Sequence, residues 1–143
     1  HQPIVRQNKT LLEFQPEPSN SWWNNPYTYI LFLVLIVGLN KKSMDKIYLT
    51  IMAVLGVAFV LLGIYSTHLE LANNYNILLF NPTLLVLLYF AKANNTKWIK
   101  YTLVFNLIAL GSYTLLLINK AHLWIVAPLI ITSGILLVRR FWK

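Results

Sequence analysis

The stretch that decides the fold is residues 47–65, IYLTIMAVLGVAFVLLGIY, which contains no charged side chain. A helix needs about 20 apolar residues to cross the roughly 30 Å hydrocarbon core of a bilayer. This stretch is therefore predicted to be a transmembrane helix. Four further apolar segments accompany it, and the sequence predicts an all-α membrane protein with a bundle of about five transmembrane helices. Their predicted bounds are 22–39, 47–65, 82–95, 98–118 and 122–138.

The composition agrees with a membrane protein and excludes several other classes. The chain is 57% hydrophobic and 11% charged, whereas a soluble domain carries about 25% charged residues. Its net charge of +8 comes from short basic clusters between apolar runs, a pattern that indicates membrane topology and contact with phospholipid headgroups rather than nucleic-acid binding. The chain has no cysteine, which excludes disulfides, thiolate metal sites and a cysteine nucleophile from this segment. We expect no metal and no cofactor.

The first 21 residues, HQPIVRQNKTLLEFQPEPSNS, differ in composition from the rest of the chain. They are polar and contain three prolines, which favours an extended segment. We therefore interpret 1–21 as a periplasmic linker or the tail of an upstream domain, and 22–143 as the transmembrane helical domain. The chain begins at His1 without a signal-peptide pattern, so we expect it to be a piece of a longer protein.

The basic residues predict the orientation of the bundle. Nine of them fall between helices one and two, between helices three and four, or after helix five: Lys41, Lys42, Lys46, Lys92, Lys97, Lys100, Arg139, Arg140 and Lys143. The other side has only Arg6, Lys9 and Lys120. Basic loops stay in the cytoplasm. We therefore expect a periplasmic N-terminus, a cytoplasmic C-terminus and a multi-pass protein of the bacterial inner membrane.

Candidate functional residues concentrate in the predicted outer loop, residues 66–82, STHLELANNYNILLFNP. His68 and Glu70 could form an acid–base pair, or they could be interfacial residues that close helix two. Amide side chains such as Asn74, Asn76 and Asn81 can cap a helix and pin a loop. Capping explains Asn81 readily, and it explains the other two less well. Together these five residues are our candidates for a loop that faces substrate or lipid.

Three other residues are predicted to pack helices together. Gly56 and Gly63 are seven positions apart, so they share one helix face and permit close packing. Asn106 lies within helix four, where a polar side chain either bonds a neighbouring helix or serves a function. The apolar segments carry no acidic or basic residue near their centres, which counts against a small transporter or channel.

The outer loop resembles a signature of a family of bacterial envelope proteins. Thr67-His68 followed by Asn74-Tyr75-Asn76-Ile77-Leu78-Leu79-Phe80-Asn81-Pro82 is similar to the pattern T-H-P…N-x-N-L-L-W-x-N-P-L. The chain departs from the pattern at Leu69 in place of proline, at Leu79 in place of tryptophan and at Thr83 in place of leucine. In that family a periplasmic domain related to papain-like cysteine hydrolases precedes a group of membrane helices. Some members are lipoprotein N-acyltransferases.

The resemblance implies that this chain is the membrane anchor and substrate-access domain of such a protein, with catalysis in an upstream periplasmic domain. Its expected partners are membrane phospholipids, lipoproteins and that upstream domain. The resemblance names no catalytic residue in this segment. The alternative is a noncatalytic integral-membrane accessory subunit of an envelope complex. An upstream domain containing a cysteine nucleophile would separate the two readings.

Overall fold

A computed structural model describes residues 25–65 and 74–142, and every regular element within these two ranges is a helix. The helices are α1 (Pro26–Leu39), α2 (Lys42–Tyr65), a 3₁₀ helix (Tyr75–Leu78), α3 (Thr83–Lys92), α4 (Thr96–Leu117) and α5 (Leu123–Phe141). The prediction of an all-α bundle of about five helices is confirmed. Four spans are long and apolar enough to cross a membrane, and the 3₁₀ helix and α3 together form one of them.

Asparagine and proline set several helix ends. Asn25 caps α1 by accepting a hydrogen bond from the Tyr27 amide at 2.9 Å, and Pro26 occupies the first turn, where its missing N–H costs nothing. Asn40 ends α1 in the left-handed conformation, with φ 48°. Helix α1 has 14 residues, and among the α-helices only α3 is shorter. At 1.5 Å per residue it is about 21 Å long.

The observed bounds differ from the predicted ones at several ends. The first predicted segment starts at residue 22, but 22–24 lie outside the described ranges, and α1 begins at Pro26. Helix α2 begins at Lys42 rather than residue 47, because Asp45 is buried against α5 and the basic turn is part of the helix. Helix α3 ends at Lys92 rather than residue 95, before Asn94 with φ 53°. Helix α5 runs from Leu123 to Phe141, past the predicted residue 138.

The helices pack in a ring in the order α1, α5, α4, α3, α2 and back to α1, and α2 also contacts α5. Side chains from every α-helix meet inside the ring, among them Leu33, Leu49, Met52, Leu87, Leu103, Tyr113 and Leu136. Many large apolar side chains point outward instead, including Phe32, Ile51, Ile108 and Ile131. An outward apolar surface of this kind suits lipid, which solvates these side chains as well as a protein core does.

The bundle has two chemically different ends. The basic end gathers the end of α1, the start of α2, the turn between α3 and α4, and the end of α5. The Asn-rich end comprises residues 74–83, the end of α4 and the start of α5. The candidate loop residues that the structure describes all lie at the Asn-rich end. Which compartment each end faces stays a prediction from the basic loops.

Candidate functional site

The Asn-rich end is organised by a short capped segment. The side-chain oxygen of Asn74 accepts a hydrogen bond from the backbone N–H of Asn76 at 3.0 Å, which starts the 3₁₀ helix. The N–H groups of Leu79 and Phe80 then both donate to the Asn76 carbonyl oxygen, at 3.1 and 2.8 Å. Residues 74–80 are therefore a defined turn rather than an open loop.

Asn76 connects this turn to the core of the bundle. The hydroxyl of Tyr113, on α4, donates to the side-chain oxygen of Asn76 at 2.6 Å. Tyr113 is fully buried, and a buried hydroxyl without a partner costs about 1–3 kcal/mol. The bond therefore fixes the position of Asn76 relative to α4. Tyr113 is one of the core residues, and the length of its side chain allows it to reach the turn.

A second polar network joins the turn to α3 and α4. The Asn81 side-chain oxygen accepts from the backbone N–H of Thr83 at 3.0 Å and from its hydroxyl at 2.8 Å. The same hydroxyl lies 3.2 Å from the Asn106 side-chain oxygen. Since a threonine hydroxyl has one proton, it is shared between two amide oxygens. The Asn106 NH₂ group donates to the Thr102 carbonyl at 2.7 Å, so all three polar side chains have partners.

Thr83 is therefore the link between Asn81 and Asn106. It is also one of the positions at which this chain departs from the family pattern, which has leucine there. A leucine could not bond either amide. In this chain the buried Asn106 of α4 therefore depends on Thr83 of α3 as its hydrogen-bond donor.

Gly56 lets the turn lie directly on α2. A Cβ atom at Gly56 would stand 1.9 Å from the Phe80 carbonyl oxygen and 3.0 Å from Cδ of Pro82. No residue but glycine fits such a contact without a shift of backbone. The rings of Phe59 and Phe80 pack beside it, with centroids 5.4 Å apart. Gly63, the other predicted packing glycine, lies seven residues further along α2 and is half-buried.

The remaining predicted residues divide into two groups. His68 and Glu70 lie outside the described residues, so their predicted roles stay predictions. Asn74 and Asn76 are half-buried and Asn81 is buried. Each of these three side-chain oxygens accepts an internal hydrogen bond. Their NH₂ groups form no hydrogen bond with another described residue. Since Asn81 is buried, the donors that the site can offer to a ligand are those of Asn74 and Asn76.

Among the described residues of this end, the available chemistry is hydrogen bonding and charge. Besides the amides, it carries Lys120, whose ammonium group lies 5.8 Å from the centre of the Tyr75 ring, and His122 at the start of α5. Within 25–65 and 74–142 no group of three or more histidine, cysteine or acidic residues could hold a metal. The arrangement can orient a polar group next to lipid.

The sequence did not assign Tyr113 or Thr83 to this site, and it could not have shown which residues they bond. Tyr113 and Asn76 are 37 positions apart, and Thr83 and Asn106 are 23 apart. No periodicity within one helix reports such pairs. The only available signal was Thr83 itself, a polar residue in the first turn of an apolar helix.

Comparison with known proteins identifies the family. The sequence model of the family described as the Lnb transmembrane domain matches residues 18–143, which is most of the chain. The chain therefore belongs to the Lnb transmembrane domain family. No curated protein and no solved structure matches it.

Proposed function

We propose that this member of the Lnb transmembrane domain family anchors a lipoprotein N-acyltransferase-like protein in the bacterial inner membrane and forms its substrate access. Catalysis takes place in a periplasmic domain upstream of the chain. Two features support the proposal: the resemblance of residues 67–82 to the family signature, and the fixed turn that residues 74–83 form at one end of the bundle. The turn is the observation that carries the access role.

The turn has the properties that an access site requires. It is held by core contacts through Tyr113 and Gly56, so its geometry does not depend on a bound substrate. Its amide NH₂ groups are neutral donors, which suit the ester carbonyl or phosphodiester oxygens of a phospholipid and the carbonyls of a lipoprotein. Holding two reactants at the membrane surface in a fixed geometry contributes several kcal/mol to a reaction, up to about 7–11 kcal/mol for ideal alignment.

The proposed separation of membrane anchoring from catalysis follows from the residues present. The chain has no cysteine, so a thiol nucleophile of the papain type would have to come from another domain. A soluble domain alone meets acyl chains and lipoproteins only at the bilayer surface. The helices keep it there, and the Asn-rich end presents the substrate to it.

The test compares two variants of the full-length protein that both break the bond between Asn76 and Tyr113. Asn76→Ala removes the amide NH₂ donor, whereas Tyr113→Phe keeps it. The readout is the fraction of lipoprotein whose N-terminal cysteine carries an N-acyl chain, measured by mass spectrometry and normalised to protein abundance. We expect Asn76→Ala to lower acylation about two- to tenfold, the value of one hydrogen bond. Tyr113→Phe should lower it less, because it loosens the turn but keeps the amide donor.

His68→Ala, with His1→Ala as a matched histidine control outside the signature, extends the test to the rest of the signature. We expect a loss of acylation for His68→Ala and none for the control. Unchanged acylation in Asn76→Ala and His68→Ala at normal abundance would contradict the access role. A protein whose deletion leaves lipoprotein acylation intact would instead be the accessory subunit.

A further inference from the structure

The basic end of the bundle contains a buried carboxylate shared by two arginines. Asp45 is fully buried, and its two oxygens pair with Arg139, at 2.8 Å, and with Arg140. Arg139 also donates to the Val37 carbonyl at 2.6 Å, and Arg140 donates to the Asn40 carbonyl at 2.9 Å. This triad ties α1, α2 and α5 together and leaves one arginine charge in excess.

A cavity of about 440 Å³ lies beside this triad. It is lined by Asp45, by both arginines, and by three lysines from α2 and α4: Lys42, Lys46 and Lys100. Five basic side chains and one carboxylate give it a net charge of +4. Asp45 is the only side-chain carboxylate in the ranges that the structure describes, and both of its oxygens are paired with the arginines. The lysines therefore have no acidic partner there, and the cavity is electrostatically complementary to an anion.

A second cavity, of about 250 Å³, adjoins the first and has a different character. The two share Lys100 and Phe141 as lining residues, and the second is otherwise lined by Leu103, Val104 and Trp142. Val104 and Trp142 are largely exposed on the outer surface of the bundle, where lipid would lie. A charged cavity beside an apolar one fits a molecule with an anionic head and a hydrocarbon chain.

We propose that these two cavities bind one anionic phospholipid from the leaflet at the basic end. The phosphate group lies among Lys42, Lys46, Lys100 and the arginines, and an acyl chain follows the apolar cavity between α4 and α5. Trp98 and Trp142 stand at the same end, and tryptophan prefers the headgroup level of a bilayer. Basic cavities between membrane helices are suited to anionic headgroups. This site is independent of the proposed acyltransferase role.

The test measures binding of phosphatidylglycerol to the purified protein in neutral detergent by native mass spectrometry. Phosphatidylcholine with the same acyl chains is the zwitterionic comparison, and inorganic phosphate is the competitor without a chain. The test variant is Lys46→Gln with Lys100→Gln. The control is Lys41→Gln with Lys97→Gln, which removes equal charge at the same end from residues that do not line the cavity.

We expect the test variant to bind phosphatidylglycerol about 30-fold more weakly, five- to sixfold for each lysine. The control should stay within about twofold of the unmodified protein, and phosphatidylcholine should bind at least tenfold more weakly than phosphatidylglycerol. Equal losses in the two lysine pairs, or equal binding of the two lipids, would overturn the proposal in favour of unspecific surface charge.

The apolar cavity supplies a second variant that leaves all charges in place. Val104→Trp should fill it from the lipid-facing side and weaken phosphatidylglycerol binding severalfold. Displacement of the lipid by inorganic phosphate at comparable concentration, with no effect of Val104→Trp, would show a site for free phosphate and overturn the assignment. If the double lysine variant does not accumulate, Lys100→Gln alone and Val104→Trp decide the same question.

Discussion

Tyr113, in the last turns of α4, donates a 2.6 Å hydrogen bond to the side chain of Asn76, 37 residues earlier in the chain. The bond connects the fully buried core of the bundle to the turn that carries the signature residues. Tyr113, a polar residue in a membrane helix, therefore helps to position the Asn-rich end. The stability of that end should depend on this pair.

Tyr113→Phe tests the pair directly. It removes the donor and leaves the Asn76 oxygen without its partner, so we expect a loss of about 0.5–1.5 kcal/mol in the free energy of unfolding. Unfolding in detergent, followed by circular dichroism, measures it. The control is Tyr101→Phe on the same helix, since Tyr101 is 59% exposed. Equal stability of the two variants would show that the bond contributes nothing.

Gly56 is predicted to tolerate no side chain. Gly56→Ala places a Cβ 1.9 Å from the Phe80 carbonyl oxygen, so α2 or the turn must shift. We expect a loss of about 1–3 kcal/mol, the usual cost of overpacking. Gly111→Ala is the matched control, since its Cβ would meet nothing within 4 Å. A thermal midpoint for Gly56→Ala equal to that of Gly111→Ala would contradict the close contact.

Thr83 and Asn106 should be coupled energetically. Thr83→Leu restores the residue of the family pattern but leaves the Asn106 oxygen without its donor. Asn106→Leu should conversely leave Thr83 bonded only to Asn81. A double-mutant cycle with both changes is expected to give a coupling of about 0.5–1.5 kcal/mol. Additive effects of the two substitutions would mean that the shared hydroxyl proton does not link α3 to α4.

Asp45 should be the most sensitive residue of the basic end. Asp45→Asn leaves two arginines, whose side chains are only 21% and 17% exposed, without a counter-charge. Breaking a buried ion pair from one side costs about 3–5 kcal/mol. We expect a large drop in the unfolding midpoint, part of which Arg140→Gln should recover because it removes one of the two uncompensated charges. If Asp45→Asn and unmodified protein unfold alike, the triad does not hold α1, α2 and α5 together.

The architecture was largely predictable from the sequence because it depends on local patterns. An uncharged apolar run such as 47–65 either crosses a membrane or is buried in a protein core. The dipeptide Asn25-Pro26 is by itself a signal for the start of a helix. The start of α2 was missed for a related reason. Four of residues 42–46 are polar, and they belong to the packed helix because Asp45 pairs with arginines more than 90 positions away.

The candidate site was predictable only as a location. The asparagines of 74–81 stood out by composition, and capping by Asn81 follows from its place before α3. The partners of Asn76 and Asn106 are set by how α3 and α4 pack, which no local pattern encodes. The larger cavity at the basic end likewise requires four helices to meet, whereas in the sequence its lysines only signal topology.

The proposed function requires the Asn-rich end to face the compartment of the proposed upstream domain. Because the chain contains no cysteine, single cysteines at two exposed lysines report this directly once any cysteine of the proposed upstream domain is replaced by serine. Lys120→Cys lies at the Asn-rich end and Lys97→Cys at the basic end. With a membrane-impermeant maleimide we predict labelling of Lys120→Cys in intact spheroplasts, and of Lys97→Cys only after lysis. The reverse pattern would place the Asn-rich end in the cytoplasm and contradict the proposed function.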